Sequence, residues 1–292
     1  MTELVSIIVP TYNRGHLIGE TIQSVVNQSY TNWELIIVDD GSTDDTKKRV
    51  EEFRDQRIRY YCIEHSGIIG AVRNFGMKNA IGEFVAFLDS DDLWLPNKLE
   101  YQLSLLEKNP QAAFVFGHGE QFGNATTPPP DLEKLFIGDV FHPFLIEERF
   151  IFYVPTLLFK KEILSKISAF DESFYYSGDI DFFLRLAYAV EGVFSNDIVI
   201  RVRKQERSHS LNNEPSAYDE YQVMLKNHLQ ESRLTSKQFA RLAFRHHYKL
   251  GLIYLQSGNS KRARKEFQNY IRLNPLSWKG WIRLTQSLLF NK

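Results

Sequence analysis

The sequence predicts an α/β fold, in which a mostly parallel sheet is covered by helices, followed by an all-α tail. Short apolar runs at residues 5–9, 35–38 and 83–88 alternate with segments of helical periodicity. These runs are apolar on both faces, which is typical of parallel strands that helices cover on both sides. From about residue 216 the periodicity is helical to the end. We therefore predict two domains, residues 1–215 and 216–292.

The remaining elements follow from the same patterns. Strands are predicted at residues 5–9, 35–38, 58–63, 83–88 and 112–117, and helices at 17–28, 44–53, 68–80, from about 96, and at 179–190. The spacing of Ser42 and Asp45 predicts a capping box before the second helix. Residues 118–149 lack periodicity and contain three consecutive prolines, which predicts a long irregular insertion that recognises the acceptor.

Composition excludes several classes of protein. The formal charge of −1 over 292 residues provides no global field for nucleic acid, so no nucleic-acid partner is expected. The single cysteine, Cys62, excludes an intramolecular disulfide and a cysteine-based zinc cluster, and it favours a reducing, cytoplasmic setting. No apolar segment approaches the roughly 20 residues that cross a bilayer. The expectation is a cytoplasmic protein, either soluble or attached peripherally at the inner face of the membrane.

Three predicted strands end in unusually polar loops, at residues 10–14, 39–44 and 89–92. Ligands of open parallel sheets bind beyond the carboxyl ends of the strands, where such loops converge. Clustered carboxylates repel one another unless a cation or donors compensate them, and magnesium binds one or two carboxylates together with phosphate oxygens. A glycine-rich phosphate loop is missing, which argues against a P-loop or dinucleotide fold.

Five groups of residues occur in a recognisable order: Val9-Pro10-Thr11-Tyr12-Asn13, Val38-Asp39-Asp40-Gly41-Ser42-Thr43-Asp44, Ala71-Val72-Arg73-Asn74, Leu88-Asp89-Ser90-Asp91-Asp92, and Phe170-Asp171-Glu172 with Gly178-Asp179-Ile180-Asp181-Phe182. This combination resembles the family 2 inverting glycosyltransferases of GT-A fold, over about residues 4–212. The resemblance implies transfer of a sugar from a nucleotide diphosphate sugar, with uridine favoured, to an acceptor hydroxyl. The acceptor would be a carbohydrate or a lipid-linked glycan of the cell surface.

The resemblance also implies a nucleotide site. Tyr12 would stack on the base, and Asp40 would accept its imino hydrogen. Arg73 would lie near the nucleotide or its phosphates, and Asp89 would hold the ribose. Pro10, Arg14 and Ser90 would also contact the nucleotide.

The implied chemistry rests on two carboxylates. Asp91 would ligate a magnesium or manganese ion that bridges the diphosphate, and Asp179 would be the general base that takes the acceptor proton. Two positions depart from the family pattern: Gly178 replaces a glutamate, and Gln205 replaces a histidine. His209, four residues further on, is a candidate phosphate or metal contact.

Each assignment has a structural alternative. Asp40 could shape a turn, Tyr12 could pack as a loop aromatic, Arg73 could form a surface ion pair, and Asp179 could cap a helix. A rival function is a degenerate, non-catalytic transferase domain that carries a protein-binding module. A sugar-phosphate nucleotidyltransferase would need a basic, glycine-rich loop near the N-terminus, which is missing.

The tail resembles a second family, the tetratricopeptide repeats. His247, Leu250, Gly251, Tyr254, Gly258, Ala263, Phe267, Tyr270 and Pro275 fall at the spacings of one repeat. Gly251 and Ala263 would let two helices approach closely. The last helix is apolar along one face, which predicts that Trp281 and Leu284 cover the preceding hairpin. The surplus around Trp278, Leu288 and Phe290 predicts a partner surface, for a second copy of the chain or another protein.

Overall fold

The computed structural model describes residues 3–122, 134–147, 152–204 and 215–289. The chain forms two compact units. The first comprises Met1–Phe174 and Gly178–Arg207, and the second comprises Tyr175–Ser177 and Ser208–Lys292. The predicted division into residues 1–215 and 216–292 stays a prediction.

The described residues of the first unit form one sheet of nine strands: β1 (Val5–Thr11), β2 (Trp33–Asp39), β3 (Ile58–Cys62), β4 (Phe84–Phe87), β5 (Leu93–Trp94), β6 (Phe114–Phe122), β7 (Leu135–Gly138), β8 (Leu158–Lys160) and β9 (Gly192–Arg203). The strand order is β3-β2-β1-β4-β8-β6-β9-β5, and β7 pairs with β9. The predicted parallel arrangement holds for β3-β2-β1-β4 and for β6 with β9. Strands β5, β7 and β8 pair antiparallel, so the sheet is mixed.

Six helices accompany the described part of this sheet: α1 (Ile18–Val26), α2 (Thr46–Glu51), α3 (Ile69–Asn79), α4 (Lys98–Lys108), α5 (Phe141–Leu145) and α6 (Gly178–Ala189). Helix α3 packs closely on β1, since a Cβ added at Gly76 would lie 2.4 Å from Ile8 Cγ2. β1 and β2 are buried along their whole lengths, as their apolar sequences require. Helices α1 and α4 contribute to the same core, with Ile18, Ile22, Leu99 and Leu103.

Two local predictions are wrong. The capping box before α2 does not form, because the Ser42 hydroxyl accepts a hydrogen bond from the backbone N–H of Asn13 instead. The segment 118–149 is less irregular than predicted, because β6 continues to Phe122 and the described residues further on form β7 and α5. Residues 123–133 and 148–149 of that segment lie outside the described residues.

The second unit contains the helices α7 (Pro215–Gln230), α8 (Ser236–Gln256), α9 (Ser260–Leu273) and α10 (Trp278–Leu289). A reciprocal capping box between Thr235 and Gln238 begins α8. Helices α8 and α9 pack closely as predicted, because a Cβ added at Gly251 would lie 2.6 Å from the Phe267 ring. The all-α tail is confirmed, and its assignment to the tetratricopeptide family stays a prediction. None of the described helices is both long and apolar enough to cross a bilayer.

Candidate functional site

The loops that follow β1 and β2 are held together by hydrogen bonds. The backbone N–H of Asn13 donates to the Ser42 hydroxyl at 2.7 Å, and the N–H of Thr43 donates to Asn13 Oδ1 at 2.8 Å. Asn13 adopts φ 51°, a left-handed conformation that asparagine tolerates. Pro10 is buried within β1 and has no N–H to donate. No hydrogen bond to β4 is lost there, because the pairing of β1 with β4 ends at Ile8. The two loops therefore form one rigid rim at the carboxyl end of the sheet.

Tyr12 lies on this rim with 41% of its surface exposed. Its ring stacks on the imidazole of His65, with ring centroids 4.3 Å apart and planes 20° from parallel. The exposed fraction of a planar aromatic ring is a platform on which a nucleobase can stack. His65 follows β3, so the platform is built from the ends of two strands.

Asp40 is buried beside this platform and organises the loop after β3. Its carboxylate accepts hydrogen bonds from the backbone N–H groups of Ser66, at 2.7 Å, and Gly67, at 2.9 Å. The Ser66 hydroxyl and His65 Nδ1 also contact it, at 3.0 and 2.9 Å. Three of these contacts are hydrogen bonds to the carboxylate, whereas the hydrogen bond of His65 Nδ1 joins the backbone carbonyl of Asp40 at 2.8 Å. The assignment of Asp40 as the acceptor of a base's imino hydrogen stays a prediction.

Arg73 lies in α3 and is the centre of the site. It is 1% exposed, and its guanidinium donates to Asp89 at 2.9 Å and to Asp179. The rings of Phe87 and Phe170 lie on it, with centroids 5.7 and 5.5 Å away. Burial opposes the charge of Arg73, but the two carboxylates outweigh it and raise its pKa. The surface ion pair that was the alternative for Arg73 is therefore wrong.

Asp179 is the second residue of α6, so it lies inside the helix and is not its N-cap. Arg73 donates to its Oδ1, and Oδ2 has no hydrogen-bond partner among the described residues. The side chain remains 34% exposed. Burial raises the pKa of Asp179 and the charge of Asp89 adds to the effect, while Arg73 lowers the pKa. A carboxylate with a raised pKa that remains partly accessible is suited to accept a proton.

The segment after β4 brings three further carboxyl groups to the same edge. Burial raises the pKa of Asp91, and the charge of Asp89 adds to this, while Arg14 and Arg203 oppose it. Asp92 accepts a hydrogen bond from the backbone N–H of Arg203 at 2.9 Å, and burial with the charges of Asp89 and Asp91 raises its pKa to about 8. The negative charges of these three carboxylates repel one another, and a bound cation would reduce that repulsion.

The donor set fits a hard divalent cation that a ligand would help to bind. No group of three or more histidine, cysteine, aspartate or glutamate residues in the described chain has the arrangement of a complete metal site. Magnesium and manganese sites at phosphates need only one or two carboxylates, since phosphate oxygens and water supply the rest. Asp91 would hold such an ion, with the positive charge of Arg14 nearby.

Two polar clamps hold the segment that precedes α6. The side-chain amide of Asn74 donates to the carbonyl of Phe170 at 2.9 Å, and its Oδ1 accepts from the Phe170 N–H at 2.9 Å. The buried Arg185 bonds Asp181 at 2.8 Å and donates to the carbonyls of Ser168 and Ala169. These contacts explain the motifs at residues 170–172 and 178–182, because they fix the approach of α6 to Arg73.

The structure brings together most of the residues that the sequence indicates. Arg73, Asp89 and Asp179 are in contact, and Arg14 lies near enough to Asp91 to lower its pKa. Ser90 is buried. His209 and Gln205 lie outside the described residues.

Sequence reasoning missed His65, Ser66 and Arg203. The polar residues after β3 were a usable signal for the first two, since they occupy the same edge as the other three loops. Arg203 could not be placed without β9, which the sequence analysis did not identify.

Comparisons with known proteins agree with this geometry. The family model described as glycosyl transferase family 2 matches residues 6–168, more than half of the chain. The chain is 47% identical over 121 residues to an Escherichia coli protein, the UDP-Glc:alpha-D-GlcNAc-diphosphoundecaprenol beta-1,3-glucosyltransferase WfgD. That match covers 41% of this chain and 47% of WfgD, so the chain spans less than half of this curated relative.

Two solved structures share the fold. The S. aureus TarS 1–349 structure in complex with UDP-GlcNAc aligns with a TM-score of 0.72 at 20% identity, covering 98% of this chain and 88% of that one. The mannosyltransferase PcManGT from Pyrobaculum calidifontis, in complex with GDP-Man and Mn2+, aligns with a TM-score of 0.64 at 18% identity. The alignment covers 99% of this chain and 85% of the PcManGT chain. At these identities the likeness concerns the fold, and the mixed sheet with its helices has the GT-A arrangement.

Proposed function

The chain belongs to glycosyl transferase family 2, and we propose that it transfers a sugar from a nucleotide diphosphate sugar to an acceptor hydroxyl with inversion at the anomeric carbon. The observation that carries the proposal is the cluster formed by Asp179, Arg73 and Asp89. These residues come from α6, α3 and the loop after β4, and they are in contact with one another. The stacked pair of Tyr12 and His65 lies after β1 and β3, at the carboxyl edge of the same sheet. This cluster supports the proposal that Asp179 acts as a base next to the nucleotide.

The donor that we propose is a uridine diphosphate sugar, with UDP-glucose as the first compound to test. WfgD is named for UDP-glucose and for a lipid diphosphate acceptor, and the fold neighbour TarS carries UDP-GlcNAc. Tyr12 offers its exposed ring to the base. The acceptor that we propose is a saccharide, free or attached to a lipid diphosphate, in the synthesis of a cell-surface polysaccharide or glycoconjugate.

The proposed reaction is a single displacement. Oδ2 of Asp179 takes the proton of the acceptor hydroxyl while that oxygen attacks the anomeric carbon from the face opposite the nucleotide. The bond from the anomeric carbon to the diphosphate oxygen breaks, and the nucleoside diphosphate leaves with the electron pair. Arg73 holds Asp179 through Oδ1, so the second oxygen keeps a fixed direction toward the acceptor.

The resident ion that we propose is manganese or magnesium, held by Asp91 and the donor's diphosphate. When bound, it would neutralise negative charge that develops on the leaving diphosphate. Arg14 contributes a positive charge at the same place, as its effect on the pKa of Asp91 indicates. PcManGT, which has Mn2+ in its structure, offers a precedent within the fold.

The proposal is tested by incubating the protein with Mn2+ and a panel of uridine, guanosine and thymidine diphosphate sugars. Each donor is combined with N-acetylglucosamine linked to a prenyl diphosphate or to a simple alkyl group. We expect acceptor-dependent release of uridine diphosphate and a product with the anomeric configuration opposite to that of the donor, measured by the proton coupling constant. A product that retains the donor's configuration would contradict the inverting mechanism.

The rival function is a non-catalytic domain that serves as a scaffold for the helical unit. Two departures from the family pattern favour it: Gly178 in place of a glutamate and Gln205 in place of a histidine. Arg73, Asp91 and Asp179 are all retained, and the first and third are in contact. If the protein binds nucleotide but turns over no donor of the panel, the non-catalytic scaffold function is supported.

A further inference from the structure

The chain's near-neutral charge conceals a strong division between its two units. Residues 208–292 contain 14 lysines and arginines against 5 aspartates and glutamates, a formal charge of +9. The rest of the chain has 21 basic and 31 acidic residues, a formal charge of −10. In residues 236–289, which form α8, α9 and α10, Glu266 is the sole acidic residue among 11 basic ones. A partner with negative charge is therefore favoured by the helical unit.

Helix α10 packs on α9 through its small residues. Gly280 and Ser287 are buried, and a Cβ added at Gly280 would lie 2.6 Å from the ring of Tyr270. Leu284 packs against the apolar cluster of α8 and α9, as predicted. Four larger apolar side chains of α10 remain exposed, namely Trp278, Trp281, Ile282 and Leu288. The prediction that Trp281 covers the hairpin is wrong, since its side chain is 52% exposed.

Six exposed apolar side chains lie between the end of α9 and the end of α10, and we call them the tryptophan patch. It consists of Leu273, Leu276, Trp278, Trp281, Ile282 and Leu288. Leu276 is 93% exposed and Trp278 is 66% exposed. The indole N–H of Trp281 donates to the carbonyl of Pro275 at 2.9 Å, which anchors the ring at the turn before α10. Arg272 and Lys279 are exposed beside the patch, and Lys279 Nζ lies 5.8 Å from the Trp278 ring centroid.

We propose that the tryptophan patch binds the surface of an anionic phospholipid bilayer, with its indole rings at the level of the headgroups. Tryptophan is enriched at membrane interfaces because its ring is apolar at one end and polar at the other. Basic residues around an exposed apolar face add electrostatic attraction to anionic lipids. Self-association through the same face would bring together two units that each carry a charge of +9, so a second copy is disfavoured.

Binding to vesicles tests the proposal without any measurement of sugar transfer. The full chain is sedimented with phosphatidylcholine vesicles that contain or lack phosphatidylglycerol, and tryptophan emission is recorded. We expect at least about 10-fold stronger binding to the anionic vesicles, a blue shift of the emission, and weaker binding as salt is raised. Equal binding to both kinds of vesicle, or binding to neither, would overturn the proposal.

Matched variants identify the surface. The double variant Trp278→Ser/Trp281→Ser should lose at least about 10-fold in vesicle affinity, whereas Ile81→Ser, at a 70% exposed apolar residue of the first unit, should bind like the wild type. Charge reversal by Arg272→Glu/Lys279→Glu should weaken binding, and Lys47→Glu/Lys48→Glu, at exposed lysines of α2, should not.

Two further results separate the proposal from its competitors. Wild-type vesicle binding by the double tryptophan variant would refute the role of the patch. A dimer in analytical ultracentrifugation that these substitutions dissociate would assign the patch to a second copy. Because the double variant should transfer sugar to a water-soluble acceptor at the wild-type rate, failure of the membrane proposal and failure of the proposed enzymatic function are distinguishable.

Discussion

Replacement of Arg73 by methionine should destabilise the protein by about 3 kcal/mol. The substitution keeps an unbranched, apolar side chain near Phe87 and Phe170. It removes the positive charge that forms ion pairs with both Asp89 and Asp179. Removal of one partner of a buried ion pair costs about 3–5 kcal/mol. The two carboxylates keep 33% and 34% of their surface exposed, so water compensates part of the loss, and we expect the lower end of this range.

Thermal denaturation followed by circular dichroism measures this loss. At about 2–4 °C per kcal/mol for a unit of this size, Tm should fall by about 6–12 °C at pH 7. The deficit should shrink as pH falls, because burial raises the pKa of Asp179, and the unpaired Asp179 becomes neutral when it binds a proton. The control is Arg49→Met, whose arginine also makes two ion pairs, with Asp45 and Glu52, but is exposed. It should cost no more than about 1 kcal/mol.

The double variant Arg73→Met/Asp179→Asn distinguishes charge from packing. If the unpaired carboxylate causes the loss, the second substitution should restore part of Tm, and the two effects will not add. A wild-type Tm for Arg73→Met would refute the role of Arg73 as the centre of the site. A deficit that is independent of pH and unrelieved in the double variant would assign the loss to packing.

Three more predictions concern the cation, a buried lysine and the segment before α6. Asp91→Asn should abolish the dependence of uridine diphosphate affinity on Mn2+ in calorimetry, and equal wild-type affinity in EDTA would contradict the metal role. Burial lowers the pKa of Lys98 well below its usual value. At neutral to alkaline pH the Lys98 side chain therefore carries a proton in the unfolded chain that it lacks in the folded one. The free energy of unfolding of the wild type should rise as pH increases toward about 10, by up to about 1.4 kcal/mol per pH unit. Lys98→Met should remove this slope in urea titrations, and the exposed Lys108→Met should keep it. Within the helical unit Glu220 accepts from the backbone N–H groups of Tyr175, Tyr176 and Ser177, which lead directly into α6. Glu220→Gln should lower kcat about 10-fold with little change in KM for the donor, whereas Glu231→Gln, at an exposed glutamate of the same unit, should lower neither.

The parallel half of the sheet was predictable because its strands are buried on both faces and leave continuous apolar runs. The polar loops at residues 10–14, 39–44 and 89–92 were equally visible, since ligands of open parallel sheets bind where the loops after the strands converge. Strand β9 was not predicted. Its buried residues occur in two groups, at the start and near the middle of the strand, and the alternation beyond them is weak.

The hydrogen-bond partners of individual side chains could not be predicted from the sequence. Asp39 and Asp40 are adjacent and chemically identical, yet Asp39 bonds the backbone of its own loop at Ser42 and the hydroxyl of Tyr60, while Asp40 organises residues 65–67. The outward face of α10 was predictable only in part. Its apolar periodicity predicted that Trp281 and Leu284 cover the hairpin and that the surplus around Trp278, Leu288 and Phe290 is a partner surface. Leu284 packs as predicted and Trp278 and Leu288 are exposed, but Trp281 is exposed as well, and Phe290 lies outside the described residues.

The role of Asp179 as the general base is tested most directly by the rate of sugar transfer in Asp179→Asn. Asparagine has the same shape and can still accept the hydrogen bond from Arg73, which also keeps its ion pair with Asp89. The protein should therefore fold, with a lower Tm, and nucleotide affinity should be nearly unchanged. Asparagine cannot take a proton, so kcat should fall by at least about 100-fold. In the wild type, kcat should fall toward acid with a pKa above that of an ordinary aspartate, because burial raises the pKa of Asp179. Asp45→Asn, at the N-cap of α2, is the matched control and should transfer normally. Wild-type turnover in Asp179→Asn, with nucleotide binding intact, would contradict the account.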